Sequence, residues 1–205
     1  MTGGQAPLLI LASGSQTRVS MLREAGLAFE AVPADIDEAA LFKAALVSDA
    51  SLPPEKIAVL LARAKAAEVS RRYPEALVIG ADQVLSLGNE MIFKAPDQDA
   101  AKRILMKLRG QTHKLHSAVS LAIGGCEQWT AIDTASLTMR DFSAAFLDDY
   151  LRRAGSALTT SAGAYQIEGL GVNLFETVAG HHSTILGLPL LPLLAELRAR
   201  GVIGS

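Results

Sequence analysis

Small polar residues between an apolar run and a helical pattern form the first group that could do chemistry. Residues 8–11 are continuously apolar, as in a short strand buried on both faces. Ser13, Gly14 and Ser15 follow, and Arg18 lies on the first turn of the predicted helix. A strand, a small loop and a helix start place free backbone N–H groups around an anion, and the planar fork of Arg18 suits phosphate. An ordinary turn with Ser15 as N-cap explains the same residues, and no P-loop motif is present.

A carboxylate follows a second buried run. Residues 76–81 are strongly apolar, and Asp82 comes directly after them. Open α/β sheets bind ligands at the carboxyl ends of their strands, which makes Asp82 a candidate site residue. Glu38 belongs to an acidic stretch in a predicted loop or at a helix start. Solvated carboxylates that complement the dipole of a helix N-terminus also explain this stretch.

Two lysines are placed where their ammonium groups could reach a site. Lys65 lies at the edge of the apolar face of a helix that Pro54 opens, so its stem can pack while its charge reaches outward. Lys94 leaves a predicted hairpin shortly before Pro96. Most lysines in such positions are ordinary surface residues, so neither lysine identifies a site by itself.

Strands and helices that could position these residues recur along the chain. The predicted strands are residues 8–11, 29–32, 76–81, 115–122, 129–132, 135–139 and 172–178, with a hairpin at 84–93. The predicted helices follow Ser15, Pro54 and Asp97 or Asp99, surround residues 146–151 and close the chain at 190–200. Residues 161–171 are punctuated by glycine, which predicts a shaped loop.

Composition narrows the function classes. The chain has 205 residues, 50% of them hydrophobic and 20% charged, which suits one globular α/β unit or two closely fused lobes. A formal net charge of −2 argues against a broad nucleic-acid-binding surface. No apolar run is long enough to span a bilayer and no signal peptide is recognisable, so we expect no membrane partner and a cytoplasmic location.

Cysteine and histidine point to no site of their own. Cys126 is the single cysteine, which excludes an intramolecular disulfide and a multi-cysteine metal site. The four histidines have no metal-binding spacing, so we interpret them as structural or exposed. No nucleophile elbow is present that would make Ser13 or Ser15 a nucleophile.

Taken in order, the motifs resemble those of the Maf proteins, the septum-formation-type nucleoside triphosphate pyrophosphatases. The resemblance covers the chain from Leu8 to about Leu197. It rests on residues 9–15 (LILASGS) with Arg18, on Asp37-Glu38, on residues 78–82 (VIGAD), on Lys94, on 108–113 (LRGQTH), on Arg140, on 162–165 (AGAY), on 168–171 (EGLG) and on 187–190 (GLPL). Each piece is weak alone, but their order and spacing together are specific.

The resemblance implies a fold, an activity and a cofactor. The implied fold is a single α/β domain over residues 1–205, of the Maf/inosine-triphosphatase type, with two lobes, an elongated twisted mixed sheet and a central cleft. The implied enzyme hydrolyses a nucleoside triphosphate to the monophosphate and pyrophosphate with a divalent cation, Mg²⁺ or Mn²⁺. A cytoplasmic protein, a possible homodimer and a link to septum formation and cell division are also implied.

Roles for individual residues follow from the same resemblance. Asp82 matches the catalytic acid position. Glu38, Arg18, Lys65 and Lys94 match the other polar cleft positions, and Ser13 matches the loop serine. Physical chemistry agrees, because Asp82 and Glu38 offer hard oxygen ligands for a divalent cation and Asp82 can accept a proton from water. Arg18 and Lys65, with Ser13 and Ser15, would hold the triphosphate.

The predicted base preference rests on three positions. Gln83 follows the catalytic acid, Glu168 precedes Gly-Leu-Gly, and Thr17 stands where the family commonly has a basic or aromatic residue. Gln83 and Glu168 resemble the branch that acts on 7-methyl-GTP, whereas the pyrimidine branch more often has Thr and Gln. A carboxylate can accept from the N1–H and amino groups of guanine, and methylation at N7 makes the ring cationic.

Two alternatives remain open at this stage. The chain could prefer pyrimidine triphosphates such as dTTP and UTP, or it could be a nucleotide-binding regulator of division with little turnover. The chain also departs from the common family pattern at Lys94-Ala95-Pro96, where the proline is shifted by one residue, and at Thr160-Ser161, where two charges are absent. The loss of those charges bears on the substrate class.

Overall fold

The computed structural model describes residues 8–204 and has a mixed α/β architecture. Its strands are β1 (Leu9–Ala12), β2 (Glu30–Ala31), β3 (Leu77–Leu87), β4 (Glu90–Ile92), β5 (Thr112–Ile123), β6 (Cys126–Met139) and β7 (Phe175–Ala179). Its helices are α1 (Gln16–Glu24), α2 (Glu38–Ser48), α3 (Pro54–Arg72), α4 (Gln98–Leu108), α5 (Ala144–Arg153), α6 (Ala157–Thr160), α7 (His182–Ile185) and α8 (Leu190–Ala199). A 3₁₀ helix, η1, spans Leu170–Leu174.

The strands form one mixed seven-stranded sheet, which confirms the expected fold class. Their hydrogen-bonded order is β2-β1-β3-β5-β6-β7, and β4 pairs with β3. Strand β1 runs parallel to both β2 and β3, whereas the β3–β4 and β6–β7 pairs are antiparallel. Among residues 8–204, every helix is too short or too polar to span a bilayer.

The chain divides into two compact units. Within the described residues, unit 1 comprises 8–83, 117–133 and 181–204, and unit 2 comprises 84–116 and 134–180. That residues 1–205 form a single domain of two lobes stays a prediction, and residues 1–7 and 205 lie outside the described part.

Alternation along β1 organises the interior of unit 1. Leu9 and Leu11 pack with apolar residues of α1 and α8, whereas Ile10 and Ala12 face the opposite side of the sheet and pack with Val69 of α3. All four β1 side chains are buried. Successive side chains of a strand point to opposite faces, so a strand covered by helices on both sides reads as a continuous apolar run.

Gly80 allows helix α3 to lie directly against β3. A Cβ atom at this position would stand 2.2 Å from the carbonyl oxygen of Ala62 and 2.5 Å from the backbone nitrogen of Ala66. No side chain larger than hydrogen fits there. The close approach brings the segment of α3 that carries Lys65 beside the segment of β3 that carries Asp82.

Unit 2 has its own buried residues. Leu85 of β3, Leu105 of α4, Leu137 of β6 and Leu147 of α5 are completely buried. Polar groups are buried with them, because the Nε2 atom of His113 lies 2.6 Å from the hydroxyl oxygen of Tyr165. The Nδ1 atom of His113 is buried without a hydrogen-bond partner among the described residues.

Three sequence predictions of element boundaries are wrong. Asp82 lies inside β3 and does not follow a strand that ends at residue 81, because β3 continues to Leu87 and forms the hairpin with β4. The two strands predicted at 129–132 and 135–139 are one strand, β6. The strand predicted from residue 172 begins at Phe175, because η1 occupies the preceding residues.

Candidate active site

The loop between β1 and α1 exposes donors at a helix N-terminus. Ser15 is the N-cap of α1, and its Oγ accepts from the backbone nitrogen of Arg18 at 3.4 Å. Among the described residues, no acceptor binds the backbone N–H groups of Gly14, Gln16 and Thr17. Unpaired N–H groups at the positive end of a helix attract an anion. The N-cap interpretation of Ser15 is therefore confirmed, and the binding of an anion stays a prediction.

Ser13 adds a hydroxyl group to this loop. Its side chain is buried, and its Oγ accepts from the backbone nitrogen of Ser15 at 3.2 Å and from Nη1 of Arg18 at 3.4 Å. Because both contacts use the oxygen as an acceptor, the hydroxyl hydrogen remains available to donate to a ligand.

Backbone carbonyl groups hold the guanidinium of Arg18. Nε donates to the carbonyl oxygen of Gly187 at 2.9 Å, and Nη1 donates to the carbonyl oxygen of Ala81 at 3.0 Å. Burial lowers the pKa of Arg18, while Asp82 and Glu38 act in the opposite direction, and the side chain remains a cation. No described residue accepts a hydrogen bond from Nη2, which leaves that nitrogen free to bind an anion.

Two carboxylates converge on the ammonium group of Lys65. Its Nζ lies 2.6 Å from Oδ1 of Asp82 and 2.8 Å from Oε1 of Glu38. Asp82 is buried, whereas about half of the Glu38 side chain is exposed. Burial raises the pKa of Asp82 above its ordinary value, although Lys65 and Arg18 oppose that shift. A carboxylate with a raised pKa is a better proton acceptor than a solvated one.

The position of Asp82 follows from the length of its strand. The parallel pairing of β1 with β3 ends at Ala12 and Gly80, two residues before Asp82. Asp82 thus lies beyond the carboxyl end of β1, although it is within β3. Glu38 reaches the same ammonium because Asp37 caps α2, accepting from the backbone nitrogen of Ala40 at 2.9 Å, and Glu38 is the first helical residue.

The carboxylates of Asp82 and Glu38 fit a divalent cation whose other ligands come from water and from the phosphates of a bound substrate. No group of three or more His, Cys, Asp or Glu side chains within residues 8–204 is arranged to hold a metal ion. Mg²⁺ is commonly bound by one or two protein carboxylates and completes its shell with water and phosphate oxygens. Asp82 and Glu38, which both contact the ammonium group of Lys65, supply two such carboxylates.

The residues predicted to select the base lie in different surroundings. Thr17 is exposed on the first turn of α1, and Glu168 is exposed in unit 2 just before η1. Gln83 is half-buried, and its Nε2 lies 3.0 Å from each of three acceptors: Ser117 Oγ and the carbonyl oxygens of Thr184 and Ile185. The amide nitrogen of Gln83 is therefore used within the protein, and its Oε1 is the atom left for a ligand.

Lys94 belongs to unit 2, whereas Asp82, Glu38, Lys65 and Arg18 belong to unit 1. Lys94 is exposed after β4 and forms an antiparallel bridge with Ala162. Its predicted catalytic role stays a prediction.

Sequence analysis did not identify the polar residues around Gln83. Thr184 and Ser117 are completely buried, and Thr184 Oγ1 donates to Oδ2 of Asp133 at 2.6 Å. No sequence spacing links these residues, which come from α7, β5 and β6. The one available signal is that Thr184 lies shortly before the quoted motif at 187–190.

Comparisons with known proteins agree with the resemblance. Residues 8–200 match the profile of the family described as "Maf-like protein". A relative from Mesorhizobium japonicum, named 7-methyl-GTP pyrophosphatase, is 51% identical over 95% of this chain and 97% of its own length. A relative of the same name from Brucella abortus is 49% identical over 93% and 94%. A relative from Maricaulis maris, named nucleoside triphosphate pyrophosphatase, is 48% identical over 95% and 97%.

Solved structures show a weaker likeness. A nucleoside-triphosphatase / dITP/XTP pyrophosphatase from Mycobacterium abscessus covers 95% of this chain and 95% of its own, at 13% identity and a TM-score of 0.41. That likeness is too low to support an argument about function. The family profile and the relatives each cover nearly the whole chain, and the chain therefore belongs to the Maf-like protein family.

Proposed function

We propose that this protein hydrolyses a nucleoside triphosphate, preferentially 7-methyl-GTP, to the monophosphate and pyrophosphate. The observation that carries the proposal is the convergence of Asp82 and Glu38 on Lys65, at 2.6 and 2.8 Å, with the half-buried Arg18 interacting electrostatically with both carboxylates. Relatives about half identical to this chain carry the name of that activity. A cytoplasmic location, a homodimer and a role in cell division stay predictions.

The loop before α1 and Arg18 bind the phosphates of the substrate. The N–H groups of Gly14, Gln16 and Thr17, the hydroxyl hydrogen of Ser13 and Nη2 of Arg18 are hydrogen-bond donors that have no acceptor among the described residues. Donors fixed in advance toward an anion stabilise the charge of a triphosphate at little reorganisation cost.

Bond cleavage requires a water molecule directed at the α-phosphorus. Asp82 accepts the proton of that water as the new P–O bond forms. The bond from the α-phosphorus to the bridging oxygen then breaks, and its electron pair leaves with pyrophosphate. A divalent cation held by Asp82 and Glu38 would neutralise charge on the phosphates. The ammonium of Lys65, which contacts both carboxylates, supplies a further positive charge at the site for the phosphates.

Release of pyrophosphate tests the activity directly. Purified protein is offered 7-methyl-GTP, GTP, UTP and dTTP with Mg²⁺ or Mn²⁺, and each assay is repeated after removal of divalent cations by EDTA. We expect pyrophosphate from 7-methyl-GTP at the highest kcat/KM and little turnover in EDTA. Absence of pyrophosphate from all four nucleotides would contradict the activity, and full turnover in EDTA would contradict the cofactor.

The base preference has its own test at Glu168. Glu168→Gln keeps the side-chain size but removes the charge that would favour a cationic, hydrogen-bond-donating base. We expect kcat/KM for 7-methyl-GTP to fall about tenfold, the scale of one charge-assisted hydrogen bond, with a smaller loss for UTP. Glu176→Gln, at an exposed position of β7 in the same unit, is the matched control.

Pyrimidine triphosphates are the second candidate substrates. The Maricaulis maris relative, 48% identical, has a name that specifies no base. Preference of the unaltered protein for UTP or dTTP would overturn the 7-methyl-GTP assignment and leave the pyrophosphatase activity intact.

A further inference from the structure

A turn at the end of α7 supplies one of the acceptors that hold Arg18. The turn comprises residues 184–187, and the backbone nitrogen of Gly187 donates to the carbonyl oxygen of Thr184 at 3.0 Å. Gly187 has a φ of +94°, a left-handed conformation that favours glycine. In this conformation its carbonyl oxygen accepts from Nε of Arg18 at 2.9 Å. The direction of that carbonyl therefore depends on the geometry of the turn.

Thr184 anchors the turn through both its backbone and its side chain. Its carbonyl oxygen accepts from Ser117 Oγ at 2.7 Å and from Gln83 Nε2 at 3.0 Å, in addition to the nitrogen of Gly187. Its hydroxyl donates to Oδ2 of Asp133 at 2.6 Å. Thr184 is completely buried, so water cannot replace these hydrogen bonds if one of them is lost.

The orientation of Arg18 leaves one edge of its guanidinium free. Nε and Nη1 are held by the carbonyl groups of Gly187 and Ala81, and Nη2 alone makes no hydrogen bond with a described residue. A Cβ atom on Gly187 would stand 3.3 Å from Nη2, so the turn also lies close to the free nitrogen. A guanidinium is planar, and fixing Nε and Nη1 fixes the direction of the Nη2 donors.

We infer that Thr184 is a positioning residue, which holds the carbonyl group of Gly187 and thereby directs Nη2 of Arg18 toward the substrate phosphates. Gln83 and Ser117 support the same carbonyl group of Thr184, which gives Gln83 a role besides contact with the base. The inference rests on the proposed function for the identity of the anion. The effect of Thr184 on the geometry of Arg18 does not depend on that function.

Hydrogen exchange at Nε of Arg18 tests the geometry without any substrate. The Nε–H resonance is assigned by its loss in Arg18→Lys and is compared in the unaltered protein, Thr184→Val and Thr184→Ser. We expect Thr184→Val to exchange about tenfold faster or more, because the Gly187 acceptor is no longer fixed, and Thr184→Ser to exchange at nearly the original rate. Ser117→Ala removes one donor from the same carbonyl and should show a smaller effect in the same direction, even if Thr184→Val folds poorly.

Thr130→Val is the matched control for this experiment. Thr130 also lies in unit 1, and its Oγ1 donates to a carboxylate, Oε1 of Glu127, at the same distance of 2.6 Å. Among the described residues, its hydroxyl makes no hydrogen bond with the turn at 184–187. We expect its substitution to leave exchange at Arg18 unchanged. Unchanged exchange in both Thr184→Val and Ser117→Ala, or equal acceleration in Thr130→Val, would overturn the inference.

Kinetics separate this inference from the proposed function. Thr184→Val should raise KM for the triphosphate several-fold in the unaltered background and should have almost no further effect in Arg18→Lys, since it acts through Arg18. Equal effects of Thr184→Val in both backgrounds would overturn the positioning role. Absence of pyrophosphate release from the unaltered protein would instead contradict the proposed function, and the exchange result would stand on its own.

Discussion

At the residue scale, Asp82 combines burial with two nearby cations. Its side chain is almost inaccessible to water, and Lys65 contacts its Oδ1 at 2.6 Å. Burial favours the protonated carboxyl group, and Lys65 and Arg18 favour the carboxylate. Burial has the larger effect, so the pKa of Asp82 is raised. The ionisation of Asp82 therefore depends more strongly on the neighbouring cations than the ionisation of a solvated aspartate would.

Replacement of Asp82 by asparagine tests its role as the proton acceptor. Asp82→Asn keeps the shape of the side chain and an acceptor for Lys65 but removes the charge and the basicity. We expect kcat for pyrophosphate release to fall by about 10²–10⁴, the scale of a positioned acid–base group. Asp99→Asn, at an exposed position of α4, is the control and should keep the original kcat. Turnover of Asp82→Asn within a few-fold of the unaltered protein would exclude Asp82 as the catalytic base.

At the element scale, contact between α3 and β3 determines where Lys65 and Asp82 meet. Gly80 permits that contact, because its missing Cβ atom would lie only 2.2 Å from a backbone oxygen of α3. The neighbouring α3 residues Ala62 and Ala66 are completely buried and small. A glycine opposite two alanines is thus a requirement of helix–strand packing at this position.

Substitution of Gly80 by alanine should be strongly destabilising. The added methyl group cannot be accommodated without moving α3, and we expect the free energy of unfolding to fall by about 3 kcal/mol or more. For a protein of this length that loss lowers Tm by roughly 6–12 °C. Gly14→Ala is the control for stability, because a Cβ atom there would lie 3.7 Å from Pro33 Cγ, an ordinary contact, and Gly14 has no left-handed φ. Equal Tm values for the two variants would refute this packing argument.

The buried histidine of β5 gives unit 2 a pH-dependent stability. Burial lowers the pKa of His113 from 6.5 to about 4, so the folded protein binds fewer protons than the unfolded chain between these values. Stability from the neutral imidazole is fully present above pH 6.5 and is lost as the pH falls toward 4. The loss amounts to about 3 kcal/mol, given 1.36 kcal/mol per unit of pKa.

Replacement of His113 by glutamine tests this dependence. A glutamine can still bond to the hydroxyl of Tyr165 but does not titrate, so the free energy of unfolding should vary much less between pH 4 and 6.5. Urea denaturation at several pH values measures the slope. His181→Gln, at an exposed position, should keep the original slope. A His113→Gln protein with an unchanged slope would show that other groups cause the acid sensitivity.

Local sequence patterns predicted the presence of helices and strands more accurately than the residues at which they begin and end. The apolar run of β1, the N-cap at Ser15 and Pro54 at the first turn of α3 each have a local physical signal, and all three are confirmed. Asp82 was predicted to follow a strand because the apolar run of residues 76–81 ends directly before it. It is accommodated within β3 because Lys65 neutralises it, which is a contact over 17 residues of sequence that no local pattern contains.

Sequence analysis likewise predicted some residues of the candidate site and missed others. Asp82, Glu38, Lys65 and Arg18 were candidates from their local patterns and received roles through the resemblance, and the structure brings these four together in unit 1. Thr184 was missed because a threonine between serine and isoleucine has no distinguishing pattern. Its importance arises from burial and from hydrogen bonds to three distant segments.

At the scale of the whole molecule, the two units are built from interleaved segments of the chain. Unit 1 takes three segments and unit 2 takes two, so the chain passes from one unit to the other four times. Three of these passages fall within or at the ends of the strands β3, β5 and β6, each of which contributes residues to both units. Neither unit is a continuous stretch of sequence that could be expressed alone.

Such interleaving should make unfolding a single cooperative transition. Residues of one strand cannot lose their pairing in one unit without releasing the covalently adjacent residues of the other unit.

The single tryptophan of the chain provides a test of this cooperativity. Trp129 lies in unit 1 and reports on it by fluorescence, and Trp129→Phe combined with Phe146→Trp moves the probe to α5 of unit 2. Far-UV circular dichroism of each protein provides the reference midpoint and corrects for any change in stability. We expect fluorescence and circular dichroism midpoints to agree within about 2 °C in both proteins. A fluorescence midpoint displaced in one protein alone would show that its unit unfolds separately.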